Sequence, residues 1–81
     1  MSEKVEQLTA ILDLRGKDCV ELRLELRKKI AEIEKDTILK IITDNPKSIK
    51  TIPSWCETNE QELFLSDERE EALIFFIRKT D

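Results

Sequence analysis

Apolar and polar positions divide the chain into six segments. Thr9 to Leu14 (Thr-Ala-Ile-Leu-Asp-Leu) alternates loosely and predicts a first strand. The eight residues before it are polar and predict only a lead-in. Gly16, the chain's one glycine, breaks the strand within a charged turn of Arg15, Gly16, Lys17 and Asp18. From Cys19 the period lengthens. Leu22, Leu26, Ile30 and Ile33 recur at helical spacing, Val20 and Leu24 widen the stripe, and Arg23, Arg27, Lys28 and Glu32 fall on other faces. Asp18 or Cys19 is the expected cap, and Glu21 sits in the first turn, where the helix dipole favours an acid. The helix is predicted to end between Glu34 and Asp36.

Thr37 to Thr43 is the clearest strand. Ile38, Leu39, Ile41 and Ile42 form a nearly continuous, β-branched run, as in the middle of a sheet. Asp44-Asn45-Pro46 then opens a second helix, from about Pro46 to Asn59. Asp44 or Asn45 is its cap, and Pro46 suits its first turn. Its apolar positions are Ile49, Ile52, Trp55 and Cys56, and Pro53 inside it predicts a kink or two short segments. Glu62 to Ser66 reads as a third strand, Asp67 to Glu70 as a charged turn, and Glu71 to Lys79 as a fourth strand. Leu73, Phe75 and Ile77 face one side of it, Ile74 and Phe76 the other. The order β-α-β-α-β-β predicts an α+β two-layer sandwich: a four-stranded mixed sheet, a hairpin of the last two strands, and two helices on one face. Right-handed crossovers are expected to put both helices on that face if they wind in opposite directions along the sheet. All 81 residues form one expected domain, with its core at 9–79.

Charge and composition narrow the function. Eighteen acidic residues oppose fourteen basic ones, a net charge of −4. That balance disfavours a phosphate-tracking nucleic-acid surface. The one basic run, Arg27-Lys28-Lys29, reads either as a dock for an acidic partner or as a solvated face balanced by Glu25 and Glu32. No apolar run approaches a membrane span, and the first residues lack a secretion signal, so a cytoplasmic protein is expected. Two cysteines without a histidine predict free thiols in a reducing compartment, with no metal and no cofactor. No carboxylate pair, Ser-His constellation or phosphate-binding glycine loop is present to suggest hydrolase or nucleotide chemistry.

Asp13-x-x-Gly16-x-x-Cys19 resembles the opening signature of the TusA/SirA-like sulfur-carrier (sulfurtransferase) family, Asp-x-x-Gly-x-x-Cys-Pro-x-Pro. The resemblance continues through Asp44-Asn45-Pro46, Ile52-Pro53-Ser54-Trp55-Cys56, Glu62-Leu63 and Ile77-Arg78-Lys79, and so covers residues 9–79. Two places depart from it. The family's two prolines are replaced by Val20 and Leu22, and Glu60-Gln61 stands where the family often has glycine before the third strand. The family's Pro-x-Pro pre-shapes the first helical turn.

The resemblance implies a relay of persulfide sulfur on Cys19 between a donor protein, such as a cysteine desulfurase or rhodanese-type protein, and an acceptor protein. It implies a sulfurtransferase-like carrier more than a turnover enzyme, serving tRNA thiolation, cofactor assembly or sulfur metabolism. Such a thiol must be exposed, partly ionised and approachable. A helix start supplies unpaired N–H groups and the positive dipole end, and Arg15, Lys17 and Arg23 would add positive potential. Asp18 opposes the thiolate. Arg15, Gly16, Lys17, Asp18, Glu21 and Arg23 form the expected docking surface around Cys19. The bland reading makes Cys19 a small residue at a helix start. Cys56, on the apolar face beside Trp55, reads as a structural thiol. Alternative functions are a regulatory or adaptor paralogue without the relay and, less favoured by the acidic balance, an RNA-binding module.

Overall fold

The computed structural model describes residues 9–80. The elements are β1 (Thr9–Asp13), α1 (Cys19–Glu32), β2 (Ile38–Thr43), α2 (Ser48–Thr58), β3 (Glu62–Glu68) and β4 (Leu73–Arg78). The β-α-β-α-β-β order is the one predicted. The sheet order is β1-β2-β4-β3. β1 and β2 are parallel, with Thr9 opposite Ile38 and Asp13 opposite Ile42. β4 runs antiparallel to both β2 and β3, so the sheet is mixed.

β2 lies inside the sheet, as its continuous apolar run predicts. The expected winding does not hold. β1, β2 and β3 all point the same way, and both crossovers advance in the same direction, from β1 to β2 and from β2 over β4 to β3. Crossovers of one hand that advance the same way between parallel strands put their helices on the same face. Opposite directions would have split them between the two faces.

The core lies between that face and the helices. Leu22, Leu26 and Ile30 of α1 and Ile52, Trp55 and Cys56 of α2 pack with Leu39 and Ile41 of β2 and Phe75 and Ile77 of β4. Leu14, just beyond β1, joins them. The period-two alternation is visible in burial: Leu39, Ile41 and Thr43 are buried, while Ile38, Lys40 and Ile42 between them are half-buried. The other sheet face carries exposed Ile11, Phe64 and Leu65, and the Phe64 and Phe76 rings lie 6.2 Å apart between centroids.

Several boundaries move for identifiable reasons. α1 stops at Glu32 because Ile33 turns extended (φ −91°, ψ 162°), with its N–H still bonded to the Lys29 carbonyl. The Lys79 ammonium at the end of β4 caps the Ile33 carbonyl at 2.8 Å. α2 starts two residues late. Pro46 and Lys47 form a turn, and the Asn45 carboxamide oxygen accepts the Lys47 N–H at 2.9 Å. The helix then runs unbroken through Pro53, as one segment rather than two. β3 extends to Glu68, with a bulge between Leu63 and Leu65, and the hairpin turn closes further on, where the Arg69 N–H meets the Ala72 carbonyl at 2.9 Å.

The end of α2 accounts for the missing glycine. The Gln61 N–H reaches back to the Cys56 carbonyl at 2.9 Å, and Glu60 holds φ +57°. This is the left-handed closure that glycine usually supplies, and a side chain there is strained by about 1 kcal/mol. Glu60→Gly is therefore expected to raise the unfolding free energy by about 0.5–1 kcal/mol, read as a higher urea midpoint at unchanged slope. A lower midpoint would show that the Glu60 side chain contributes more than its backbone conformation costs.

Candidate functional site

Because β1 and β2 are parallel neighbours, their following turns meet at one end of the sheet, and both helices begin there. The turns are joined directly. The Gly16 N–H donates to an Asp44 carboxylate oxygen at 3.0 Å, and the Asn45 carboxamide N–H donates to the Lys17 carbonyl at 3.4 Å. Gly16 sits at φ +83°, and a Cβ there would touch nothing within 4 Å. Its requirement is thus the backbone conformation, not space.

α1 begins at Cys19 without the family's prolines. Asp18 is the cap: one carboxylate oxygen accepts the Glu21 N–H at 2.9 Å, while the Glu21 carboxylate accepts the Asp18 N–H at 3.2 Å. This reciprocal box fixes the first turn through hydrogen bonds instead of fixed φ angles. It also occupies Asp18 and Glu21, two of the expected docking residues. The first turn is well formed with Val20 and Leu22 in place; Leu22 is fully buried and Val20 is exposed.

Cys19 is half-buried. Its sulfur lies 3.4 Å from the Thr51 hydroxyl oxygen of α2, and either atom can donate. The Asn45 carboxamide nitrogen lies 3.8 Å from the same sulfur. In front of the thiol is an open groove of about 630 Å³, lined by Cys19, Arg23, Pro46, Lys47, Ile49, Lys50 and Thr51. Three of those seven carry positive charge, within a chain whose net charge is −4.

The expected positive surround is only partly the one read from the sequence. Arg23 lines the groove, but Arg15 is clasped by Asp13, its Nε and Nη2 lying 3.0 and 2.7 Å from the two carboxylate oxygens. Lys47 and Lys50, from the far side of the groove, supply the rest. Their position depends on how the second helix docks, which no local signal reveals. Asn45 was legible as a turn residue but not as a neighbour of Cys19. Thr51 carries no sequence signal at all. The run Arg27-Lys28-Lys29 is divided: Arg27 borders clefts beside Trp55, whereas Lys28 and Lys29 face Leu12, Glu25 and Glu32.

Cys56 is a different thiol. It is 2% exposed, in the core beside Trp55, and burial pushes its thiol up to about 12. Among the described residues no group of three His, Cys, Asp or Glu side chains is arranged to hold a metal ion, and no helix is long and apolar enough to cross a membrane.

A thiol at the joined ends of two parallel βα units, in a two-layer α+β sandwich, defines a small thiol-bearing module. Residues 10–79 match the family model described as Sulfurtransferase TusA, and the chain belongs to that family. It is similar to the sulfur carrier protein TusA of Buchnera aphidicola, with 39% identity over 70 residues, spanning 86% of this chain and 89% of that protein. It also resembles the sulfur carrier protein TusA of Pseudomonas syringae pv. tomato, with 33% identity over 81 residues, spanning 98% of this chain and 96% of that protein.

Two expectations follow from the site's electrostatics. The Arg15 guanidinium holds the Asp13 carboxyl down at about 2. A depressed carboxyl stabilises the fold above its ordinary value of 3.8, and the pair is lost only as pH falls through about 2. A carboxyl NMR titration should find that low midpoint in the wild type and a return towards the ordinary value in Arg15→Ala; an ordinary midpoint in both would mean the pair does not form in solution. In the native protein at pH 8, iodoacetamide should label Cys19 and leave Cys56 untouched until denaturant is added, as peptide mass mapping would show. Equal labelling of both would mean that the core around Trp55 opens readily.

Proposed function

We propose that this chain is a sulfur carrier that holds sulfur as a persulfide on Cys19 and passes it from one protein to another. The observation that carries this reading is the Cys19 thiol itself, at the family signature's cysteine and open to a groove. Two further neighbours can hydrogen-bond to its sulfur. The relatives described above are named sulfur carriers, which supports the same assignment.

The chemistry needs no cofactor. The Cys19 thiolate attacks the outer sulfur of a donor's persulfide; the donor's S–S bond breaks, its thiolate leaves, and a new S–S bond forms on Cys19. In the second step an acceptor thiolate attacks the outer sulfur, and the Cys19 thiolate is released. The electrons balance within each exchange, so no external oxidant or reductant enters.

The donor in this proposal is a cysteine desulfurase or rhodanese-type protein, and the exchange takes place in the cytoplasm. One domain, with its core at 9–79, carries the whole function. The docking surface is the joined turns and the groove: Gly16, Lys17 and Arg23 from the first βα unit, with Lys47 and Lys50 from the second. Arg15, Asp18 and Glu21 shape that surface through their pairings rather than offering free charge. The groove is open and shallow, which suits a protein partner that brings its own reactive sulfur, and suits poorly a small substrate that must be enclosed.

Intact mass under non-reducing conditions, after incubation with a cysteine desulfurase and cysteine, tests the relay. The wild type and Cys56→Ser should gain one sulfur atom that reductant removes, and Cys19→Ser should gain none while keeping its far-UV CD spectrum. Sulfur retained by Cys19→Ser would overturn the assignment of the site. No gain by the wild type from desulfurase or rhodanese-type donors would overturn the relay.

A further inference from the structure

We propose that Asn45 and Thr51 are positioning residues that hold the sulfur of Cys19 as a thiolate, donating one hydrogen bond each from the second βα unit. This proposal rests on the relay reading and deepens it. Both side chains reach the same atom: the Thr51 hydroxyl oxygen lies 3.4 Å and the Asn45 carboxamide nitrogen 3.8 Å from Cys19 Sγ. The two come from different places, a turn and a helix, so their convergence is a product of the fold and not of chain proximity.

The orientation of the Asn45 carboxamide is fixed by its other bonds. Its oxygen accepts the Lys47 backbone N–H at 2.9 Å, and a backbone N–H can only donate. The nitrogen must then face the other way. One of its hydrogens goes to the Lys17 carbonyl at 3.4 Å, and the second is left for the sulfur. The residue's own backbone is anchored too, with its N–H donated to the hydroxyl of fully buried Thr43 at 3.1 Å. Asn45 therefore presents a donor to the thiol and cannot flip to present an acceptor without losing two bonds.

Thr51 is ambivalent while the sulfur is a thiol, since either partner can donate. Once the sulfur is a thiolate, only the hydroxyl has a hydrogen to give; the uncharged inner sulfur of a persulfide likewise can only accept. A hydrogen bond to an ionised acceptor is stronger than one to a neutral group. The pair thus favours the anion over the thiol, and does so with neutral groups that do not compete for the carboxylates of a partner. Asn45 is half-buried and does not line the groove, whereas Thr51 does. Two donors reach the sulfur, while Cys19 still lines the open groove through which a partner would approach.

The test uses a Cys56→Ser background, so that one thiol reports. Asn45→Ser keeps a neutral oxygen that can accept from the Lys47 N–H, adds no charge, and is too short to bring a donor to the sulfur. Thr51→Val removes the hydroxyl at constant shape, and Thr51→Ser restores it. The pH profile of iodoacetamide alkylation is expected to move to higher pH in Asn45→Ser and in Thr51→Val, and to stay in place in Thr51→Ser. The corresponding alkylation rate at pH 7 falls roughly three- to tenfold, with CD spectra unchanged. As a check that needs no variant of either residue, the side-chain amide resonances of Asn45 should shift when the wild-type thiol is titrated or loaded with sulfur. Unmoved profiles in Asn45→Ser and Thr51→Val, or Asn45 amide signals blind to the state of the sulfur, would overturn the proposal. Normal sulfur loading with unmoved profiles removes the cradle and leaves the relay; shifted profiles with no loading in any protein remove the relay and leave the cradle.

Discussion

The parallel pairing of β1 with β2 is the constraint on which the rest depends. Thr9 lies opposite Ile38 and Asp13 opposite Ile42, so both strands end level with one another. A parallel pair cannot be joined by a tight turn and needs a crossover, here α1. Once that crossover is made, the turn after β1 and the turn after β2 must lie side by side, and each must start a helix. The Gly16–Asp44 and Asn45–Lys17 bonds weld the two turns together. Slipping the pairing by one residue would turn Leu39, Ile41 and Thr43 out of the core and separate the welded turns.

The site is a by-product of that weld. Cys19 is the first residue of α1, and Thr51 lies in the first turns of α2. A helix start offers unpaired N–H groups, and two adjacent starts leave a groove between them. The groove's cations come from both helices and their approach, Arg23 from one and Lys47 and Lys50 from the other. Arg15, in the turn after β1, is already paired with Asp13. Local charge therefore comes from placement, and the net charge of the chain says little about it.

The family signature is met here with substitutions that hydrogen bonding replaces. The prolines absent after Cys19 are answered by the Asp18–Glu21 box, which closes the same turn between the cap and the helix's third residue. The glycine absent before β3 is answered by Glu60 adopting φ +57°, held by the Gln61 to Cys56 closure. At both places this chain closes the turn by hydrogen bonding and backbone conformation without the family's residue.

The sequence by itself determined the elements and their order, because burial on one side imposes a period and the periods of strand and helix differ. The continuous Ile-Leu-x-Ile-Ile run marked β2 as interior, and the stripe from Leu22 to Ile30 marked the buried side of α1. The Asp-x-x-Gly-x-x-Cys spacing singled out Cys19. Element ends were less legible. The carbonyl of Ile33, where α1 ends, is capped by Lys79, forty-six residues later, and the hairpin turns at Arg69, beyond a bulge in β3. Only the tertiary structure decided the direction of the crossovers, the division of the Arg27-Lys28-Lys29 run, and the company that Cys19 keeps. Asn45 lies twenty-six residues from Cys19 and Thr51 thirty-two. Pattern along the chain reports which side of an element is buried. What stands across from a given atom depends on how separate elements dock, and that is set by the packing of the whole core.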